Sequence, residues 1–165
     1  MKAAKRWEKK MKKFLIGAVI SIGTLLSSIS LSFADELLVP HYTYRVGPFA
    51  ANGAIVANGF TDYFLMLNER DGGIGGVKVN PEECETGYKA QKGVECYEKV
   101  KNTPPSGALA IQPLSTGITY QLIPKAAVDE VPIFSMGYGR TSAANGKVFP
   151  WVFNFPATYW SQATA

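Results

Sequence analysis

The strongest constraint on this chain is a change of hydrophobic period between Leu37 and Gly76. Leu37-Leu38-Val39 is an apolar run too short for a helix and suited to a buried strand. Gly47-Pro48-Phe49-Ala50-Ala51-Asn52-Gly53 reads as a loop, because proline fixes φ and Asn and Gly tolerate left-handed backbone. Val56, Phe60, Tyr63, Phe64 and Leu67 then recur at spacings of three and four, which predicts a helix with one apolar face. Asn68-Glu69-Arg70-Asp71 solvates its end, and Gly72-Gly73 stops it. Strand, loop, helix and glycine stop make the first half of a βαβ unit. In open sheets of this kind, ligands bind where loops leave the carboxyl ends of the strands. The loop 45–53 is therefore the first candidate binding surface.

The same alternation continues. Val77-Lys78-Val79 is the next strand signal, ahead of Glu82-Glu83-Cys84-Glu85. A helix is predicted from Tyr88 to about Lys101, with Ala90, Val94, Tyr97 and Val100 on its inner face. Residues 102–107 read as a loop and Ala108-Leu109-Ala110-Ile111 as a third buried strand. A loop from Gln112 to Thr119 then leads to a short helix around Tyr120 to Val128. Val131-Pro132-Ile133-Phe134 is a fourth strand, Ser135 to Gly146 a loop, and Trp151-Val152-Phe153-Asn154-Phe155 a fifth apolar segment. The predicted class is α/β, a doubly wound parallel sheet covered by helices on both faces, with right-handed crossovers. From Pro156 the chain looks like the start of another helix, in which Tyr159 and Trp160 would lack a partner surface. The sequence is therefore expected to be a fragment of a longer chain.

The amino terminus reads differently. Residues 1–13 hold seven Lys or Arg against the single acid Glu8, and residues 14–26 are mostly apolar and uncharged. Ser32-Phe33-Ala34 supplies a small-x-small cleavage site before Asp35. This is the layout of a secretory signal peptide, 1–34, cleaved after Ala34, with Met11 as an alternative start. The apolar core is shorter than the roughly 20 residues of a transmembrane helix. Export to the periplasm is the expected localisation. The whole chain is formally +4, but residues 35–165 hold ten Lys or Arg against twelve Asp or Glu, about −2. The basic balance belongs to the leader, so no basic stripe argues for nucleic acid.

Catalytic and metal motifs fail on inspection. A Gly-x-Ser-x-Gly elbow centred on Ser135 has Gly137, but Ile133 stands where its first glycine is needed. His41 is the one histidine and has no carboxylate at a diagnostic spacing. Gly72-Gly73-Ile74-Gly75-Gly76 ends a helix, whereas phosphate loops begin one. No Cys/His cluster suggests a metal. Cys84 and Cys96 are the only cysteines, and export permits a disulfide. With the helix starting near Tyr88, Cys96 lies about 12 Å along its axis, beyond the roughly 7 Å that a bridge allows between Cα atoms. Pairing requires residues 84–88 to fold back, and is left open on this reading.

Taken in order, the export signal, Gly47-Pro48-Phe49-Ala50-Ala51-Asn52-Gly53, Asn68-Glu69-x-x-Gly72-Gly73-Ile74-x-Gly76, Glu83-Cys84 and Val131-Pro132-Ile133-Phe134-Ser135 resemble periplasmic solute-binding proteins of the leucine/isoleucine/valine type. The resemblance covers nearly all of residues 37–165. It implies a type I periplasmic-binding-protein fold, of which 35–165 would be lobe one, incomplete and truncated near the crossing to lobe two. It implies the substrate-binding component of an ABC transporter, capturing a branched-chain-type amino acid or related small amide between two lobes. The implied partners are that small ligand and the membrane permease, with no cofactor and no catalysis. By resemblance, Ser115, Thr116 and Gly117 would hold the ligand carboxylate. This agrees with the anion preference of a helix amino terminus, although Ser115 and Thr116 also suit simple capping. Gly137, Tyr138, Gly139 and Thr141 would hold the other polar end; Tyr138 and Arg140 depart from the small residues usual there, and Arg140 suits either a bidentate contact to an acidic ligand group or a place on the rim. Asn52 stands where relatives place an aromatic residue against the ligand, while Asn-Gly is also an ordinary turn pair. Two alternatives are an extracytoplasmic ligand-sensing domain of the same fold and a small exported serine hydrolase.

Overall fold

The computed structural model describes residues 36–136 and 141–165. The predicted leader 1–34 and its cleavage site lie outside the described residues. The first strand forms where expected but is broken in two: β1 is Leu37–Leu38 and β2 is His41–Thr43. Pro40 lies between them and has no N–H to give to a ladder. The second strand is broken in the same way, into β3 (Val79–Asn80) and β4 (Glu83–Glu85), on either side of Pro81. β1 pairs with β3 and β2 with β4, both parallel.

On the other side of β1 and β2, parallel bridges Leu38↔Ala108 and His41↔Gln112 seat the third strand. A parallel bridge Ile111↔Ile133 joins it to β5 (Ile133–Met136), which pairs in parallel with β6 (Val152–Phe155). Numbered by chain order, the five strand positions run 2-1-3-4-5 with every pairing parallel. That is a doubly wound order, in agreement with the class expected from the sequence.

The helices are α1 (Ala50–Asp71), α2 (Ala90–Val100), α3 (Thr116–Asp129) and the short α4 (Tyr159–Ala163), with a 3-10 turn at Thr141–Ala144. Alternation along β2 sends neighbouring side chains to opposite faces. His41 meets α1, its ring 4.3 Å from that of Phe60. Tyr42 turns to the other face, into a cluster with Tyr97 and Val100 of α2, Ile118 and Leu122 of α3, and Ile111 and Ile133 of the sheet, all fully buried. Each such Ile or Leu stabilises the fold by roughly 1.5–3 kcal/mol. Gly93 lets α2 and α3 approach, because a Cβ there would collide with the Ile118 side chain.

Several expectations need correcting. α1 begins at Ala50, so Asn52 and Gly53 belong to its first turn rather than to a loop or turn pair. Its buried positions are Gly53 and Ala57, and Tyr63 is 53% exposed instead of facing inward. Small residues win this face because α1 presses onto Tyr44. The stop is as predicted: Gly72 adopts φ 71°, and its N–H bonds to the Leu67 carbonyl. α3 begins at Thr116, earlier than expected, and β5 sits two residues later than Val131–Phe134. Among the described residues, one part of the sheet has no helix over it. Phe134 and Phe153 share the face that α1 shields elsewhere, with centroids 5.4 Å apart, yet they are 43% and 47% exposed.

Cys84 and Cys96 form a disulfide, with Cα atoms 6.1 Å apart. A distance reckoned along the helix axis misses it because Glu83-Cys84-Glu85 is itself a strand. The turn Thr86-Gly87-Tyr88 then sends α2 back across the sheet, so Cys96 returns over Cys84.

Candidate functional site

The carboxyl ends of the strands gather the candidate residues on one edge of the sheet. After the third strand the chain reads Pro113-Leu114-Ser115-Thr116-Gly117. Leu114 is buried and held at φ 48°, a left-handed backbone that a branched side chain rarely adopts. That geometry turns the chain so that extended Ser115 becomes the N-cap of α3. Ser115 Oγ accepts the Ile118 N–H at 3.4 Å, and its carbonyl accepts both the Thr119 N–H and the Thr119 hydroxyl at 2.9 Å. The capping role is thus realised. A cap of this kind satisfies only part of the first turn, whose leading N–H groups have no intrahelical acceptor. Gly117 is exposed, and a Cβ there would meet only Ser115 Oγ, at 3.9 Å. Gly117 thus leaves this part of the helix amino terminus without a covering side chain of its own, and a helix amino terminus favours an anion.

The second predicted group is only partly described. Gly137, Tyr138, Gly139 and Arg140 lie outside the described residues. Thr141 is half-buried, and its Oγ1 accepts the Trp160 N–H at 3.3 Å. Thr116 Oγ1 and the Tyr159 hydroxyl are 2.7 Å apart. The start of α4 thus ties together the loop after the third strand and the loop after β5. Tyr120, Thr141, Ser142, Tyr159 and Trp160 line an open cavity of about 450 Å³. Tyr159 and Trp160 are not among the site residues expected from the sequence. The available signal is their lack of an inward partner; the link to Thr116, 43 residues away, is not a local property of the sequence.

The first candidate surface contracts to Arg45–Phe49, all exposed. Arg45 fixes it: Nε and Nη2 donate to the two Glu83 carboxylate oxygens at 2.6 and 2.8 Å, and Nη1 donates to Asn58 Oδ1 at 2.9 Å. The guanidinium holds the Glu83 carboxyl below the usual carboxylate range. Behind it, Tyr88 at φ 63° sets its ring 5.1 Å from Tyr44 and 4.7 Å from Phe49. Asn52 lies exposed in the first turn of α1, on a different element from the one that carries Thr116 and Gly117.

His41 is 2% exposed; burial lowers its pKa to about 4, so the ring is neutral at pH 7. Its Nε2 lies 3.4 Å from Thr61 Oγ1, within the α1 packing. The Gln112 amide nitrogen and Ser135 Oγ are buried at the carboxyl ends of adjacent strands without hydrogen-bond partners among the described residues. No group of three or more His, Cys, Asp or Glu among the described residues is arranged to hold a metal ion. No helix among them is long and apolar enough to cross a membrane.

Comparison with known proteins fits this geometry. A family described as "Periplasmic binding protein" matches residues 37–165. No curated protein matches the sequence. A solved structure titled as an ABC transporter permease from the Pseudomonas fluorescens group is 42% identical, with a TM-score of 0.74, over 78% of this chain and 31% of that one. A fatty acid ABC transporter substrate-binding protein from Thermomonospora curvata is 22% identical, with a TM-score of 0.63, over 76% and 30%. A possible leucine/isoleucine/valine-binding protein from Rhodopirellula baltica SH 1 is 19% identical, with a TM-score of 0.63, over 82% and 35%. The last two share the fold. The chain spans about a third of the length of each of these structures.

Proposed function

The chain belongs to the periplasmic binding protein family, and on that basis we propose that it serves as the substrate-binding component of an ABC importer. In this reading the protein is exported, its leader is removed after Ala34, and residues 35–165 make most of the first of two lobes. The ligand is a small amino acid or related amide, captured in the cleft and passed to a membrane permease without chemical change. The observation that carries the proposal is the amino terminus of α3, capped by Ser115 and open at Gly117 on the carboxyl edge of a parallel sheet. Ser115, Thr116 and Gly117 hold the carboxylate there, where N–H groups and helix dipole act together. Thr141 and the preceding Gly137, Tyr138 and Gly139 hold the opposite polar end, with Asn52 on the far wall. Closure of a second lobe completes the cavity.

Thermal denaturation of the exported protein against a panel of amino acids and their amides tests this reading. A bound ligand raises the melting temperature by mass action and is recovered unchanged. Thr116→Val removes the hydroxyl that lies 2.7 Å from the Tyr159 hydroxyl at this end of the cleft and weakens binding about tenfold, the scale of one hydrogen bond to a charged group. No stabilisation by any member of the panel, or turnover of one, overturns the proposal.

A further inference from the structure

The cavity beside the α3 amino terminus has a chemical character of its own. Among the described residues that line it, Tyr120, Tyr159 and Trp160 are aromatic, and all three are open to solvent: Tyr120 is 44% exposed, Tyr159 42% and Trp160 73%. Thr141 and Ser142 supply hydroxyls. Its volume of about 450 Å³ falls within the range of small-molecule sites.

The aromatic wall is fixed to the anion-binding end. The Tyr159 hydroxyl is 2.7 Å from Thr116 Oγ1, and Thr116 is the first residue of α3. Tyr120 stands one turn along the same helix, so its ring lies on the Thr116 side. The Trp160 N–H donates to Thr141 Oγ1 at 3.3 Å, anchoring the backbone that carries the indole. Thr158 adds a capping box with Ser161, which sets the entry angle of α4 and leaves both rings on the cavity side.

We infer that Tyr159 and Trp160 are specificity-determining residues, and that the preferred ligand is a carboxylate bearing a planar aromatic group. The carboxylate sits at Ser115–Gly117, and the ring lies against the Trp160 and Tyr159 faces. A flat ring stacks on these faces, whereas a branched aliphatic chain leaves part of them wet. This inference rests on the carrier reading above and deepens it.

Affinity measurements with four probes test it on the whole encoded protein. L-Phenylalanine is compared with L-isoleucine, and phenylacetate with 4-methylpentanoate, so each pair differs in ring against branched chain. We expect each aromatic probe to bind about tenfold tighter than its aliphatic partner. Trp160→Ala should abolish that preference, lowering affinity for the aromatic probes about tenfold more than for the aliphatic ones. Tyr159→Phe should weaken all bound probes together, because it removes the hydroxyl that lies 2.7 Å from Thr116 Oγ1 and fixes the wall to this end of the site. Trp160 is 73% exposed, so its replacement leaves the fold intact. Equal or tighter binding of the aliphatic probes overturns the inference and leaves the carrier reading standing. An aromatic preference that survives in Trp160→Ala removes the assignment to Trp160. Absence of binding by all four overturns the inference, and the amino acid and amide panel then decides whether the carrier reading falls with it.

Discussion

Gly53 lies against Tyr44 with no room for a side chain: a Cβ at position 53 would run into both the Tyr44 ring and its carbonyl oxygen. The contact brings α1 down onto the end of β2. Gly53→Ala is therefore expected to destabilise by about 1–3 kcal/mol, the usual cost of overpacking. Gly59 is the internal control, since it lies in the same helix with nothing within 4 Å of where a methyl group would stand. Gly59→Ala should stabilise by about 0.5–1 kcal/mol through lost backbone entropy. Urea denaturation of the two variants should move the midpoint in opposite directions; movement in the same direction would refute the close-approach account.

Asn68 acts as a short extension of the sheet. Its Nδ2 donates to the Val79 carbonyl at 2.7 Å, and its Oδ1 accepts the Val79 N–H at 2.8 Å. Both bonds need the amide, with donor and acceptor on one plane. Asn68→Asp can keep one bond, and Asn68→Ala neither. Losses of about 1–3 kcal/mol are expected for each, with Asn68→Leu no better. Hydrogen exchange at the Val79 amide is the direct measurement; unchanged protection in Asn68→Ala would contradict it.

The disulfide closes a short loop, since its cysteines are 12 residues apart in sequence. Joining positions at that separation stabilises by about 2–3 kcal/mol on the chain-entropy account. Reductant should lower the denaturation midpoint of the native protein but not that of a Cys84→Ser, Cys96→Ser double variant. An equal response of both would show that the bridge contributes nothing.

Acid sensitivity should centre on His41. Its folded pKa of about 4 lies below the 6.5 of an unfolded chain, with burial as the cause. The unfolded chain therefore binds a proton that the folded ring refuses. Stability is complete above about pH 6.5 and declines towards pH 4, by no more than about 3 kcal/mol. Glu83 acts lower: Arg45 depresses its pKa, so its contribution is present above the ordinary carboxylate value and is lost as pH falls through the folded value. His41→Gln should flatten the upper limb alone. A midpoint that still falls between pH 6.5 and 4 in that variant would assign the effect elsewhere.

Much of the architecture is legible in the sequence because glycine and period carry it. Gly72 marks the end of α1, and Tyr97 and Val100 mark the buried side of α2. The failures have physical causes. Glu83-Cys84-Glu85 looks polar, but its carboxylates are accommodated by Arg45 and Thr43, so nothing in the residues themselves marks β4 as a strand. Without that strand the route from Cys84 to Cys96 cannot be traced. Asn52 reads as a turn because Asn-Gly favours one in isolation; packing of Gly53 on Tyr44 overrides that preference. At the site, Ser115 is legible as a cap, whereas the left-handed Leu114 is not, because nothing about leucine announces it. The bond from Thr116 to Tyr159 depends on where the strands set two distant loops.

The stacked pair Phe134 and Phe153 makes stability a conditional property of this chain. Each ring is little more than half covered, so part of the roughly 1.5–3 kcal/mol available from burying a phenylalanine has not been realised. Anything laid over those rings, whatever its origin, binds the folded form and not the unfolded one, and so shifts the equilibrium by mass action. The melting temperature of this chain is accordingly a function of its company as well as of its sequence.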